Sequence, residues 1–159
     1  MDQRIISEYF KRSYFALDGL WFMMIEDKFS FNKAMEIDVD VWRVLPKIQA
    51  RKVKELLNLE GTGLADFLQA IKVKLEAEEY GYEVKELEAD HIQITISKCP
   101  WYEILKRAKR EHLSQRIADD ICCLEYQVWL REFGENLCFT MKSRCCVDDS
   151  VCLLDFRAQ

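Results

Sequence analysis

Seven cysteines, at positions 99, 122, 123, 138, 145, 146 and 152, carry the densest chemistry in this chain of 159 residues, and none precedes residue 99. Thiolates are soft metal ligands and strong nucleophiles, so metal binding and covalent catalysis are the chemistries to weigh. An odd number of thiols cannot pair fully. Cys146 and Cys152 are spaced C-x5-C, and Cys145 gives C-x6-C with the same partner. A hairpin between them would bring two of these residues opposite each other. Cys122 shares a helix side with Ala118, Ile121 and Trp129 and should point inward, whereas Cys123 lies nearer Asp120 and Gln127. Adding Cys99 gives a set of four, Cys99, Cys122, Cys146 and Cys152, that can converge on one point. Such a sulfur set suits zinc or an iron–sulfur cluster. No C-x-x-C pair exists, so ordinary packing of reduced thiols stands as the alternative.

Cys99 precedes Pro100 at an expected helix N-terminus, where backbone amides would lower a thiol pKa. The other reading is a small buried residue at a strand end. A nucleophilic cysteine needs a base within hydrogen-bond reach. His112 lies about 20 Å away by helical rise, and His91 about 26 Å away by strand rise. Neither can serve Cys99 locally, and no catalytic residue is assigned.

A second unusual stretch runs from Leu17 to Glu26, where Asp18 and Glu26 bracket a very apolar segment containing Trp21. A buried carboxylate must find a partner. Asp18, Trp21, Glu26 and, beyond Cys99, Trp101 are the expected contacts of a small-molecule ligand in an aromatic pocket. Core aromatics with surface acids, or a homodimer face, would leave the same trace.

The elements that must position these groups read as follows. Residues 5–34 are helical, with apolar side chains nearly all round and a bend or break at Asp18-Gly19. A second helix runs from Asp38 or Asp40 to Asn58 with a kink at Pro46. Gly61-Thr62-Gly63 punctuates the chain, and a third helix carries Leu64, Phe67, Leu68, Ile71 and Leu75 as one stripe. The period then changes to two. Ile92, Ile94 and Ile96 alternate with His91, Gln93, Thr95 and Ser97, and residues 82–87 pair with them through Glu88-Ala89-Asp90. Cys99-Pro100 opens a helix to about His112, and another runs from Ser114 to about Phe133 with Ile117, Ile121, Leu124 and Val128 as its spine. Leu137, Phe139 and Met141, then Cys152, Leu154 and Phe156, form a closing hairpin with its turn at Val147-Asp148-Asp149-Ser150. The order ααα-ββ-αα-ββ predicts a helix-rich α+β single domain over residues 1–159, with an antiparallel sheet from two β-hairpins. Residues 1–80 form its aromatic-rich helical part and residues 81–159 its cysteine-rich part.

Composition narrows the function classes. Five glycines and two prolines are too few for a turn-rich barrel or sandwich. A net charge of −5 is the wrong sign for nucleic-acid binding. The longest apolar run, Leu20–Ile25, falls far short of the ~20 residues that span a bilayer. MDQRIISEYFKR shows no signal-peptide pattern, so a cytoplasmic location is expected.

Asp18-Gly-Leu-Trp-Phe22, Ile37-Asp38 with Val41-Trp42, Lys98-Cys-Pro-Trp101, Ile117-Ala-Asp-Asp-Ile-Cys122 and Cys146-Val-Asp-Asp-Ser-Val-Cys152 resemble a family of small cytosolic prokaryotic proteins of unknown function. The C-terminal half is also similar to L-2-amino-thiazoline-4-carboxylate hydrolase-like domains. More distantly it resembles 4-vinyl-reductase-type sensor domains, in which cysteines near a closing hairpin hold zinc and helices enclose a small ligand. The resemblance implies recurring cysteines at Cys99, Cys122, Cys146 and Cys152. Asp148-Asp149 stands where a Gly-Asp is expected, and Ser143 where the vinyl-reductase-type zinc sites have glutamate. The expectation is a small-ligand-binding domain with a cysteine-lined, zinc-competent site. A hydrolase and a dimeric interaction module are the alternatives.

Overall fold

The structure, a computed structural model, describes residues 2–146 and 151–159. The chain divides into two compact units, Met1–Val41 and Trp42–Gln159.

The first unit is built on α1 (Gln3–Lys28), capped by the Asp2 carboxylate, which accepts from the Arg4 amide at 2.8 Å. α1 runs unbroken through Gly19, against the expected bend. A single glycine costs a helix only about 1 kcal/mol, too little to interrupt 26 residues. No residue of α1 is buried, and Trp21 is 62% exposed. α2 (Phe31–Trp42) follows. The expected helix over Asp38–Asn58 is two helices. α3 (Leu45–Leu57) begins afresh with Pro46 in its first turn, so the proline starts a helix where a kink was expected. Proline's fixed φ and missing N–H suit that position.

In the second unit, which begins at Trp42 and so includes α3, α4 (Leu64–Ala77) precedes β1 (Gly81–Glu88) and β2 (His91–Lys98). α5 (Pro100–Arg107) stops well before His112, which lies in a 3-10 turn over Glu111–Leu113. α6 (Ser114–Ile117), a π-helical turn (Ala118–Cys122) and α7 (Cys123–Arg131) then form one continuous rod. β3 (Leu137–Ser143) and β4 (Cys152–Ala158) close the chain. The turn expected at residues 147–150 lies outside the described residues.

The four strands form one antiparallel sheet in the order β1-β2-β4-β3, so the two hairpins join along β2 and β4. The α+β class and the two-hairpin sheet agree with the sequence pattern. Register explains the core. Ile92, Ile94 and Ile96 sit opposite Phe156, Leu154 and Cys152, and all six fall on one face. α4 and α7 cover that face with Phe67, Ile71, Leu75 and Trp129, each fully buried. Phe156 stands 4.8 Å from Phe67 and 5.1 Å from Phe139, ring centre to ring centre. The opposite face carries Asp155, which accepts from His91 Nε2 at 2.9 Å, Gln93 at 2.7 Å, Lys142 at 2.5 Å and Arg157 at 3.0 Å.

Along the rod, Ala118, Ile121, Glu125, Tyr126, Trp129 and Leu130 are buried, while the expected spine residues Leu124 and Val128 are only half-buried. The π turn adds a residue to its turn and rotates the inner face of α7 away from a uniform helical stripe. Among the described residues no helix is long and apolar enough to cross a membrane.

Candidate functional site: a cysteine-lined cavity

Four elements of the second unit build one concave site. The first is the inward face of the sheet, where Ile96 and Leu154 stand beside Cys152 because β2 and β4 pair Ile96 with Cys152. The second is the passage from β2 into α5. Cys99 takes an extended conformation there (φ −106°, ψ 115°), and Trp101, Tyr102 and Leu105 follow on the wall. The third is the rod, which offers Ser114, Ala118, Cys122 and Glu125 at helical spacing. The fourth is the end of β3, where Cys145 and Cys146 turn in. Together they enclose a cavity of about 60 Å³, room for about four waters or a molecule of a few heavy atoms.

Five of the seven cysteines line this cavity: Cys99, Cys122, Cys145, Cys146 and Cys152. The four expected to converge are all on its wall. Cys145 joins them, and its sulfur lies 3.4 Å from that of Cys152. The Cys145 amide also donates to Cys152 Sγ at 3.2 Å. Cys146 turns elsewhere, with its S–H directed at the Ser114 carbonyl at 3.7 Å. Cys138 is exposed on the far side of β3, and Cys123 lies beside Arg144 at 3.8 Å. Among the described residues, no three His, Cys, Asp or Glu side chains are grouped closely enough to hold a metal ion.

Electrostatics favour the neutral thiol at four of the five wall cysteines, Cys99, Cys122, Cys145 and Cys146. Burial pushes Cys99 up to about 11, overcoming the Tyr102 and Trp101 amides that pull it down. This reverses the local expectation from the helix N-terminus, because desolvation of a thiolate outweighs two amide contacts here. Burial also raises Cys122 and Cys146, and the hydrogen bond with Cys152 raises Cys145. Protonated thiols are poor nucleophiles and behave as small polarisable apolar groups. Neither histidine lines the cavity. His91 is held by Asp155, and His112 is exposed.

Of the expected ligand contacts, Trp101 lines the cavity. Its indole N–H donates to Glu78 Oε2 at 3.1 Å, and its ring meets Trp42 edge-on at 5.7 Å. Asp18, Trp21 and Glu26 stand on α1 in the first unit and are not among the lining residues. Sequence reasoning missed a buried charged group behind the wall. Lys74 Nζ lies 3.0 Å from both Glu78 Oε2 and Glu125 Oε1, with all three side chains sealed from water. Its signal was present: Lys74 and Glu78 sit three residues after Ile71 and Leu75, on the apolar stripe of α4.

The chain belongs to DUF6125, a family of unknown function whose model matches residues 2–154. No curated protein matches it.

Proposed function

We propose that this protein is a small-ligand-binding domain whose site is the cysteine-lined cavity of the second unit. One observation carries the reading. Separate stretches of chain converge on a cavity walled by five thiols and the rings of Tyr80, Trp101, Tyr102 and Tyr126. A neutral, aromatic and sulfur-rich wall favours a small, polarisable, mainly apolar molecule. Glu125, already engaged with Lys74, lines the cavity and offers an acceptor for a polar end.

Xenon is the probe of choice, since a single apolar atom suits a cavity of about 60 Å³ and xenon enters dry apolar cavities. A titration followed by NMR should give saturable shifts at Tyr126 and Trp101. Ala118, 3% exposed on the wall, supplies the control, because Ala118→Leu fills the space. Saturable binding lost in that variant supports the proposal; linear, unsaturable shifts in the parent protein would overturn it.

Zinc is the competing occupant implied by the resemblance, at Cys99, Cys122, Cys146 and Cys152; among the described residues these thiols are not grouped closely enough to hold it, so binding would have to draw them together. Binding would have to expel thiol protons, so its affinity would rise with pH. Metal analysis of protein purified without added zinc separates the two readings. Stoichiometric zinc that disappears in Cys152→Ser supports the metal, whereas metal-free protein that binds the probe supports the apolar ligand. Hydrolysis, implied by the thiazoline-carboxylate hydrolase resemblance, draws no support from protonated thiols without a neighbouring histidine.

A further inference from the structure

We propose that Cys145 and Cys152 form a redox-active dithiol, closing to a disulfide when a low-molecular-mass disulfide such as oxidised glutathione accepts two electrons. The two sulfurs are already in contact at 3.4 Å, and a disulfide of about 2.05 Å lies roughly 1.3 Å inside that contact. Cys152 is fixed from both sides. It opens β4 in register with Ile96 of the central strand β2, and the Cys145 amide donates to its sulfur at 3.2 Å. Just beside it, Ser143 Oγ donates to the Val151 carbonyl at 3.0 Å and holds the base of the hairpin shut. The adjacent Cys146 is excluded from the pair because its S–H is turned toward the Ser114 carbonyl. Both members of the pair are half-buried, so a small disulfide can reach them.

The chemistry balances through two exchanges. One cysteine loses its proton and attacks a sulfur of glutathione disulfide, giving a mixed disulfide and one glutathione thiolate, which takes up that proton. The second cysteine then loses its proton and attacks the first cysteine's sulfur, forming the Sγ–Sγ bond. The second glutathione leaves and is protonated in turn. Two cysteine thiols are oxidised and one glutathione disulfide is reduced to two thiols. The crosslink needs Cys152 free of metal, so the test uses the metal-free chain.

The test is a peptide map of the reduced, folded chain after graded exposure to oxidised glutathione and quenching with an alkylating agent. The proposal expects alkylatable thiols to fall by two, from seven to five. It expects Cys145 and Cys152 to be joined, with cleavage at Asp148 or Asp149 used to separate their peptides. Cys145→Ser and Cys152→Ser should each trap the remaining cysteine as a stable glutathione adduct, with circular dichroism confirming that they fold. Cys146→Ser should leave the crosslink intact. Seven free thiols at high oxidised glutathione, a Cys146–Cys152 crosslink, or adducts confined to exposed Cys138 would each overturn the proposal.

Discussion

Lys74 Nζ and Glu125 Oε1 lie 3.0 Å apart, an ion pair that joins α4 to α7 with both side chains almost wholly sealed from water. Glu78 completes the group at 3.0 Å, and the Tyr80 ring lies 4.9 Å from the same ammonium. Burial pulls the lysine pKa down, but Glu125 and Glu78 together win and hold it well above the usual lysine value.

Removing the lysine strands two carboxylates in the core. Lys74→Met is expected to cost about 3–5 kcal/mol at pH 7 in urea unfolding. The triple variant Lys74→Met, Glu78→Gln, Glu125→Gln should regain most of that loss. Because the folded pKa is raised, the group's contribution is complete below about 10.4 and falls as pH rises through the folded value. Alkaline titration of parent and triple variant should therefore diverge above that pH.

Asp155 titrates in the opposite sense. Burial opposes its ionisation, but hydrogen bonds from Lys142, His91, Gln93 and Arg157 outweigh burial and hold the carboxyl well below the usual range. Its stabilisation is complete above about pH 3.9 and is lost as pH falls toward the folded value. Asp155→Asn should lose about 1–3 kcal/mol at neutral pH. It should also show a shallower loss between pH 4 and pH 2, read as the urea midpoint against pH.

Thiol reactivity should follow exposure. With iodoacetamide at pH 7, Cys138 is expected to label first, and Cys99 more than about tenfold later, since only the thiolate reacts. Site-resolved mass spectrometry reads the order. Cys99 labelling ahead of the other six would reinstate the hydrolase reading.

Gly134 stands at φ 153°, where a Cβ would come within 2.9 Å of Asn136 Oδ1. Gly134→Ala should therefore lower stability by about 1–2 kcal/mol, seen as a fall of several degrees in Tm. The neighbouring Phe133 carbonyl accepts from the Gly63 amide at 2.7 Å, so the strain would fall where the end of α7 meets the start of α4.

The sheet was legible because period-two alternation places Ile92, Ile94 and Ile96, and then Cys152, Leu154 and Phe156, on one face whatever the helices do. That Cys122 and Cys152 face one cavity follows from one helix side and the same alternation, whereas a grouping of four sulfurs around one point is not seen among the described residues. The choice between Cys145 and Cys146 does not follow from either. The β3–β4 register shifts between Met141 and Ser143, and a one-residue slip exchanges neighbours between faces. Proline and glycine misled for a common reason. Pro46 is as acceptable starting a helix as kinking one, and Gly19 costs less than a long helix can absorb. The state of the Cys99 thiol was invisible locally, because the burial that decides it comes from residues far along the chain.

The π turn at Ala118–Cys122 has an evolutionary reading. A turn of this kind is an α-helix holding one residue more than its hydrogen bonds require. Deleting one codon there would restore a plain helix and swing everything beyond it by about 100° relative to Ser114 and Ile117. Cys122 and Glu125, both on the cavity wall, would then give place to their neighbours. A single-residue insertion is thus enough for a lineage to exchange the side chains offered to a ligand while keeping both halves of the helix.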